Sequence, residues 1–299
     1  MSAVEIEGRR VALTNLDKVL WPAAGFTKGQ MIDYYVRAAP VLLAHLSGRP
    51  VTLRRFPDGV EGVSWHQNEC RGEPSWLHVH ETSGVGGRPL RFCVVDDLAS
   101  LVWVANQAAI ELHPFLWSVD APRRPTSLVF DLDPGPPAEL LDCARAALRL
   151  RELLGEVGLA SYAKTSGSLG IHVHVPLGRA HDAEHTKAFA RAVAERIAQE
   201  RAGEIVAEMD KRRRAGKVFV DWLQNDATRQ TVAPYSLRGM PWPTVAAPVT
   251  WAEIERAVAE KRPELLTFLA EDVLARLDRE GDLFAATLEL EQALPTDRG

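Results

Sequence analysis

The sequence predicts a protein of the mixed α/β (α+β) class, and three observations indicate it. The 299 residues have the apolar and charged content of an ordinary globular protein, enough for a sizeable core. A short apolar run at residues 127–132 is closed by Pro134-Gly135-Pro136, which predicts a buried strand. After this run, strand-like segments alternate with amphipathic helical segments, as in a sheet covered by helices.

The N-terminal part predicts a strand-rich module of about residues 1–125. Thr27 and Gln30 have the spacing of a capping box, and apolar residues then recur at helical intervals. Asp96 or Asp97 is expected to cap an almost wholly apolar helix. The predicted order is a ribbon and loop at 1–26, a helix from Thr27, a strand at 51–56, a long functional loop or hairpin at 57–76, strands at 77–81 and 90–95, and a helix at 98–112.

The remaining residues, about 126–299, predict a second module, and the two together form one domain. Thr250 and Glu253 provide a second capping box. The predicted order is a strand from 127, a helix at 139–157, a strand at 161–165, a tight loop at 166–170, a strand at 171–176, a helix after Asp182, strands at 218–223 and 231–235, a helix from Thr250, and a helical tail at 265–294.

Composition narrows the protein class. The net charge of −5 argues against a non-specific coat on nucleic acid, although a local basic groove remains compatible with it. No apolar run could span a bilayer and no secretory signal is visible, so we expect a cytoplasmic protein, associated with the nucleoid if it acts on DNA. The three scattered cysteines indicate neither a disulfide framework nor a zinc site, and each is expected to be a small buried apolar residue.

Acidic residues on two predicted strands suggest a metal site. Asp131 and Asp133 are two residues apart, so a strand directs both carboxylates to one face. If the strand that carries Asp221 lies beside them, three carboxylates converge, a donor set that suits Mg²⁺ or Mn²⁺. The alternative is a strand that simply runs into a polar turn.

Other polar residues could bind phosphate. The segment 164–174 predicts a strand, a glycine loop and a strand, which offers N–H groups, Ser166 and His172 to a triphosphate; a plain hairpin is the alternative. Arg238, just beyond a predicted strand, could clamp a phosphate or be an ordinary surface arginine. His113 is expected to end the apolar helix as a partner of its dipole. The basic run 211–217 is either a solvated loop or part of a site.

A series of motifs in fixed order resembles the polymerase domain of bacterial DNA ligase D, a member of the archaeo-eukaryotic primase superfamily. The resemblance runs from about residue 10 to the end. Its motifs are Leu-Thr-Asn-Leu-Asp-Lys (13–18), Gly-Phe-Thr-Lys (25–28), Arg-Pro (49–50), Arg-Phe-Pro-Asp-Gly (55–59), Glu-Leu-His-Pro (111–114), Phe-Asp-Leu-Asp-Pro (130–134), Thr-Ser-Gly-Ser-x-Gly-Ile-His (165–172), Val-Asp-Trp-Leu-Gln-Asn (220–225) and Ala-Pro-Tyr-Ser-Leu-Arg (233–238).

The resemblance implies a fold, an activity and roles for particular residues. The implied fold is a catalytic core of two sheet-and-helix modules, one of them like an RNA-recognition motif. The implied activity is template-dependent extension or filling of DNA ends in non-homologous end joining, with two Mn²⁺ or Mg²⁺ ions and a preference for ribonucleotides. The implied site comprises metal ligands Asp131, Asp133 and Asp221; nucleotide-binding Ser166, His172, Arg238 and, near the sugar and metal site, His113; 5′-phosphate-binding Asn15, Lys18 and Lys28; and template-stacking Trp65 and His66.

Two departures and several alternatives qualify this hypothesis. Many members carry lysine where Leu169 and Asn68 stand, so triphosphate binding is expected to be weaker unless a basic residue of 211–217 compensates. The chain has no room for ligase and nuclease domains, which predicts a stand-alone polymerase or an excised domain. Its implied partners are a Ku-type end-binding protein and a separate ligase. The alternatives are an aspartyl-phosphate phosphatase, a sugar transferase, and a degenerate DNA-end-binding module that recruits repair partners.

Overall fold

In a computed structural model, which describes residues 2–83 and 89–295, the chain forms two compact units. The first unit comprises Met1–Phe115, Gln230–Ala246 and Leu269–Asp282, and the second comprises Leu116–Arg229, Ala247–Phe268 and Leu283–Gly299. Each unit has its own sheet and helices, so the α+β class is confirmed. The units are not contiguous in sequence, unlike the predicted modules 1–125 and 126–299, because two later segments belong to the first unit.

The elements up to residue 115 are β1 (Ser2–Ile6), β2 (Arg9–Leu13), β3 (Val19–Trp21), β4 (Phe26–Thr27), α1 (Lys28–Leu46), β5 (Pro50–Arg55), β6 (Trp65–Gln67), β7 (Val79–Ser83), β8 (Pro89–Val94), α2 (Leu98–Asn106) and β9 (Ala109–Pro114). Those that follow are β10 (Ser127–Pro134), α3 (Leu140–Glu156), β11 (Tyr162–Thr165), β12 (Ile171–Pro176), α4 (Ala183–Glu200), β13 (Ile205–Val206), β14 (Val218–Asp221), β15 (Pro248–Val249), α5 (Trp251–Glu260), α6 (Ala270–Glu280) and α7 (Ala286–Glu289).

The first unit is built on a sheet in which β5 is the central strand. The strand order is β6-β5-β8-β7, and β9 also pairs with β5. The predicted capping box of α1 is confirmed: Thr27 Oγ1 accepts from the Gln30 amide at 3.2 Å, and Gln30 Oε1 accepts from the Thr27 amide at 2.8 Å. The helix buries Met31, Tyr35 and Leu42. This cap fixes the start of α1 at Lys28.

The second unit is built on a six-stranded sheet with the order β13-β14-β10-β12-β11-β15. All its pairs are antiparallel except β13 with β14. The run at 127–132 is confirmed as a core strand, and both α3 and α4 pack against it. Gly135 follows the strand where a Cβ atom would lie 1.9 Å from the Arg214 carbonyl oxygen, so the chain turns there at a position that accepts only glycine.

Three predicted elements agree with the structure only in part or not at all. The apolar helix predicted for 98–112 ends at Asn106; Ala108 turns with φ +57°, and β9 follows, pairing with β5. A continuous apolar stretch has the same appearance in a buried helix and a buried strand. Residues 231–235 form no strand, and Tyr235 has φ +65°. The tail after residue 265 contains α6 and α7 with turns between them rather than one helical stretch.

The prediction for the cysteines is wrong for two of the three. Cys70 and Cys93 form a disulfide, whereas Cys143 is free and buried. The Cys70 amide donates to the Arg91 carbonyl at 2.6 Å, which brings the loop after β6 alongside β8. Such proximity arises from strand packing and is not visible in the spacing of the cysteines. Among the described helices, none has the length and apolar content that crossing a membrane requires.

Candidate active site

Two strands of the second unit bring the predicted acids together. β10 and β14 are antiparallel neighbours in which Asp131 lies directly opposite Asp221. Asp133 lies on the same face of β10, two residues on. Directly opposite residues on one face have Cβ atoms about 5 Å apart, so the carboxylates are close. The condition set by the sequence, that the strand of Asp221 lies beside that of Asp131, is therefore met.

The electrostatics of this cluster favour a cation. Burial, together with the negative charge of Asp131, raises the pKa of Asp221 above its ordinary value. Asp221 is held in place by the Leu223 amide, which donates to Oδ1 at 2.9 Å, and by the Gln224 side chain, which donates to Oδ2 at 3.0 Å. A bound cation would remove the repulsion between the two carboxylates, because it interacts favourably with both.

The donor set fits a hard divalent ion. Within residues 2–83 and 89–295, no three His, Cys, Asp or Glu side chains already converge as the ligands of one ion. Mg²⁺ binds through one or two carboxylates and fills its other positions with water and substrate phosphates, so a convergent protein cage is not required. Asp131, Asp133 and Asp221 are the side chains that would hold such an ion.

A glycine loop adjoins the acids. It runs from Ser166 to Gly170 between β11 and β12, and Ser166 Oγ accepts from the amides of Ser168 at 3.1 Å and Gly170 at 3.0 Å. A Cβ atom on Gly170 would lie 2.1 Å from the Leu132 carbonyl oxygen and 3.5 Å from Asp133 Oδ1. The loop therefore packs on the end of β10, and the side chain of Leu169, 60% exposed, points into solvent.

His172 links this loop to the acids. It lies opposite Asp131 in the pairing of β10 with β12, and its Nε2 is 3.1 Å from Asp131 Oδ1. The residue is buried. The structure thus brings five predicted site residues of the second unit into one neighbourhood: Asp131, Asp133, Ser166, His172 and Asp221.

The basic run 211–217 lies next to the same strands. Arg212 and Arg213 are exposed and pair with Asp210 and Glu208. Arg214 differs from them, because its guanidinium carbon lies 3.5 Å from the centre of the Phe219 ring. Phe219 is opposite Asp133 in the β10–β14 pair. Arg214 is thus packed on a residue that lies opposite one of the acids.

The first unit contains a second polar cluster, centred on a residue that the sequence analysis did not single out. Glu111 is buried on β9, and its Oε2 lies 2.8 Å from His113 Nε2. Its Oε1 accepts from Arg54 Nη1 at 3.1 Å and from the Gly239 amide at 3.0 Å, and lies 3.5 Å from Arg238 Nε. His113 lies on a strand, so the predicted role at a helix end is wrong. The sequence signal for Glu111 was a single acidic residue within the otherwise apolar stretch 108–112.

Trp65 and His66 are exposed neighbours on β6 that face opposite sides of the sheet. Trp65 pairs with Arg55, whose guanidinium lies 5.5 Å from the indole centre. His66 pairs with Arg54, and its ring lies 5.8 Å from that of His113. The two predicted stacking residues thus have different surroundings.

The predicted phosphate-binding residues line one cavity of about 180 Å³ in the first unit. Asn15, Lys18 and Lys28 all contribute to it, and Arg55 adds a third basic side chain to the wall. Lys28 Nζ donates to the Thr14 carbonyl at 2.7 Å, while Lys18 pairs with the exposed Asp58 at 2.8 Å. Burial, assisted by the charges of Lys18 and Arg55, lowers the pKa of Lys28 to about 8. The cavity therefore concentrates positive charge.

Acids on paired strands beside a glycine loop are the arrangement of a metal-dependent nucleotidyltransferase. The sequence profile of the LigD primase-polymerase domain matches residues 27–284. The chain belongs to this family, and it is therefore a nucleotidyltransferase of the primase-polymerase class. This assignment confirms the resemblance and excludes the phosphatase and sugar-transferase alternatives.

Relatives of known sequence and structure agree. The chain is 41% identical over 287 residues to the multifunctional non-homologous end joining DNA repair protein LigD of Mycobacterium tuberculosis, covering 92% of this chain and 36% of that protein. It is 31% identical over 273 residues to the bifunctional LigD of Bacillus subtilis, covering 91% and 43%. The chain thus spans less than half the length of these relatives. A solved polymerase domain of Mycobacterium tuberculosis ligase D, in complex with DNA, superposes with a TM-score of 0.87 at 39% identity, covering 95% of this chain and 99% of that one.

Proposed function

We propose that this chain is a DNA-end-directed polymerase that fills gaps or extends primers in non-homologous end joining, and that it prefers ribonucleoside triphosphates. The observation that carries the proposal is the direct opposition of Asp131 and Asp221 on paired strands, with Asp133 on the same face. The names of the relatives, which are end-joining proteins, and the DNA bound to the solved domain support the choice of substrate.

The proposed metal ligands are Asp131, Asp133 and Asp221, which would hold two Mn²⁺ or Mg²⁺ ions. Such ions, when bound, stabilise the attacking and leaving oxygens of an in-line displacement. The role of the chain is to hold the three carboxylates at fixed positions. Asp221, through its fixed carboxylate, would also align the primer 3′-hydroxyl.

Nucleotide-binding residues are proposed for each unit by itself. Ser166 and His172 of the second unit are proposed to bind the triphosphate, since they adjoin the acids and the loop carries backbone N–H groups. Within the first unit, His113 and Arg238 are the proposed nucleotide contacts, and both lie around Glu111. With Leu169 at the tip of the loop, Arg214, which packs on Phe219 opposite Asp133, is the residue of the run 211–217 that we propose to supply the missing charge.

DNA binding is assigned to the first unit. Asn15, Lys18 and Lys28 are proposed to bind the 5′-phosphate of the downstream strand, because they line a cavity of suitable size and charge. Trp65 and His66 are proposed to stack on the template, since both are exposed. A Ku-type end-binding protein and a separate ligase are proposed as partners at the DNA of the nucleoid.

The test is primer extension on a gapped duplex that carries a 5′-phosphate, with ribo- and deoxynucleotides and with Mn²⁺ and Mg²⁺ compared. Asp131→Ala combined with Asp133→Ala should reduce extension by about a thousandfold or more, since metal ions supply several kcal/mol of transition-state stabilisation. Asp278→Ala, which changes an exposed aspartate of α6, is the control and should extend normally.

A second readout does not depend on turnover. Mn²⁺ should raise the melting temperature of the wild-type protein and of the Asp278→Ala control, because an ion that binds only the folded state stabilises it. It should not do so in the double variant. Extension that persists in the double variant would refute the metal-site assignment. Tight binding to gapped DNA without extension under either metal would instead support the degenerate end-binding module.

A further inference from the structure

Glu111 makes an unusual number of polar contacts for a buried carboxylate. It is 1% exposed, yet it interacts with groups from three segments of the first unit. His113 follows it on β9, Arg54 lies opposite it on β5, and Gly239 and Arg238 belong to the loop after residue 230. A buried carboxylate is tolerated only when it is paired and hydrogen-bonded in this way.

The geometry determines which nitrogen of His113 carries a proton. Burial acts to raise the pKa of Glu111, but the His113 hydrogen bond and the charge of Arg238 outweigh it and lower the pKa to about 2. The carboxylate is therefore ionised and accepts at both oxygens. The hydrogen in the 2.8 Å contact must then belong to His113 Nε2. Burial also lowers the pKa of His113, so the ring is neutral near pH 7 and its Nδ1 is an acceptor.

The same carboxylate holds two guanidinium groups together. Arg54 donates to Oε1 at 3.1 Å, and Arg238 Nε approaches the same oxygen at 3.5 Å. Arg54 also lies over the Phe56 ring at 5.0 Å, against which Gly239 packs so closely that a Cβ atom would lie 2.1 Å from Phe56 Cζ. Without a negative charge between them, the two guanidinium groups would repel each other.

We propose that Glu111 is a positioning residue for nucleotide binding: its carboxylate fixes His113 as the Nε2–H tautomer, with Nδ1 presented as an acceptor, and it keeps Arg54 and Arg238 side by side. This inference rests on the proposed function, in which His113 and Arg238 contact the nucleotide. Glu111 itself acts through these neighbours.

The test uses Glu111→Gln, which preserves shape and removes the charge. The amide oxygen can still accept from Arg54 and Gly239, so its NH₂ group would face His113 Nε2. His113 Nε2 must then accept, and the ring should change to the Nδ1–H tautomer, which ¹⁵N NMR of the imidazole distinguishes. The affinity for ATP with MgCl₂, measured by titration calorimetry, should fall by about tenfold or more, since a buried ion pair has lost one partner.

Two further variants separate positioning from general destabilisation. Glu73→Gln removes a carboxylate that pairs with Arg91 in the same unit at 2.8 Å, and should change neither the His113 signal nor ATP affinity. Glu111→Asp retains the negative charge on a side chain that is one methylene shorter. His113 should keep the Nε2–H tautomer in this variant, and part of the ATP affinity should be recovered. Glu111→Asp also serves as the test variant if Glu111→Gln does not fold.

The outcomes distinguish this inference from the proposed function. An unchanged His113 tautomer, or unchanged ATP affinity, in a folded Glu111→Gln protein would overturn the positioning role. The positioning role would also be overturned if Glu111→Gln and Glu111→Asp lost ATP affinity equally and gave the same ¹⁵N NMR signal for His113. A wild-type protein that binds ATP but does not extend primers would contradict the polymerase proposal and leave the result for Glu111 valid.

Discussion

At the scale of single residues, the opposition of the acids on β10 and β14 lowers stability. Asp221 is half-buried opposite Asp131, and its pKa is raised by burial and by that neighbour. A carboxyl whose pKa is higher in the folded than in the unfolded state favours folding when protonated. Ionisation of Asp221 therefore lowers the free energy of unfolding as pH rises past the ordinary aspartate pKa, and the full penalty applies at neutral pH.

Asp221→Asn should therefore stabilise the metal-free protein. The amide oxygen can still accept from the Leu223 amide, and the charge repulsion is gone. We expect a gain of about 1 kcal/mol at pH 7 that shrinks as pH falls toward 4, together with loss of extension. Urea unfolding at several pH values measures it, with Asp278→Asn as the control. A loss of stability at pH 7 would show that the hydrogen bonds of Asp221 outweigh the repulsion.

Candidate site residues could be predicted where a sequence motif marks them, but not where only tertiary packing brings residues together. Asp131, Asp133 and Asp221 follow from strand periodicity, although their adjacency required the pairing of β10 with β14. Glu111 was missed because its partners come from three separate segments of the chain. The Cys70–Cys93 disulfide was missed for the same reason. Long-range pairing is the information that a single sequence does not display.

At the scale of elements, the loop between β11 and β12 depends on a glycine. A Cβ atom on Gly170 would lie 2.1 Å from a backbone oxygen of β10, where no flexible side chain can move away. Gly170→Ala should therefore displace the loop from the end of β10, and lower stability by about 1–3 kcal/mol.

Gly155→Ala is the matched control for that prediction. Gly155 lies in α3, and an added Cβ atom there meets no atom within 4 Å. This change should raise stability by about 0.5–1 kcal/mol, because alanine is the better helix former. Thermal unfolding and ATP titration of both variants check the pair. Wild-type stability and ATP affinity in Gly170→Ala would show that the loop does not need its contact with β10.

Predictions of elements succeeded where periodicity and capping agree, as for α1, α4 and α5, and where turn residues bound a short apolar run, as for β12. They failed where apolar residues are continuous. The stretch after Leu98 is buried in both of its conformations, so the change from α2 to β9 follows from pairing with β5 rather than from composition. In residues 231–235, the amides of Thr231 and Ala233 donate to the Pro114 and Leu112 carbonyls of β9, but the chain then turns at Tyr235, where φ is +65°, and no strand forms.

At the scale of the whole molecule, the net charge of −5 means that the proposed binding of DNA must use local groups of positive charge. The cavity lined by Lys18 and Lys28 is one such group. Lys18→Ala combined with Lys28→Ala should abolish the preference for a 5′-phosphorylated gap. It should also reduce the slope of log affinity against log salt by about two, one for each lost phosphate-binding lysine.

Fluorescence anisotropy with phosphorylated and unphosphorylated gapped duplexes, at several salt concentrations, measures both effects. Arg256→Ala combined with Arg262→Ala is the control, because it removes two exposed charges of the second unit that pair with Glu260 and Glu264. Equal preference for the phosphate in the lysine variant and the wild type would place the phosphate elsewhere.

The alternation of Trp65 and His66 on β6 has a consequence for how this protein can change over evolutionary time. Trp65 contacts Arg55, which lines the lysine-lined cavity. His66 lies opposite Arg54, which belongs to the cluster of Glu111. A slip of one residue in the pairing of β6 with β5 would exchange the two environments at once, whereas a substitution at either position alters only one. The register of β6 therefore ties the two surroundings together, while the two side chains can be replaced one at a time.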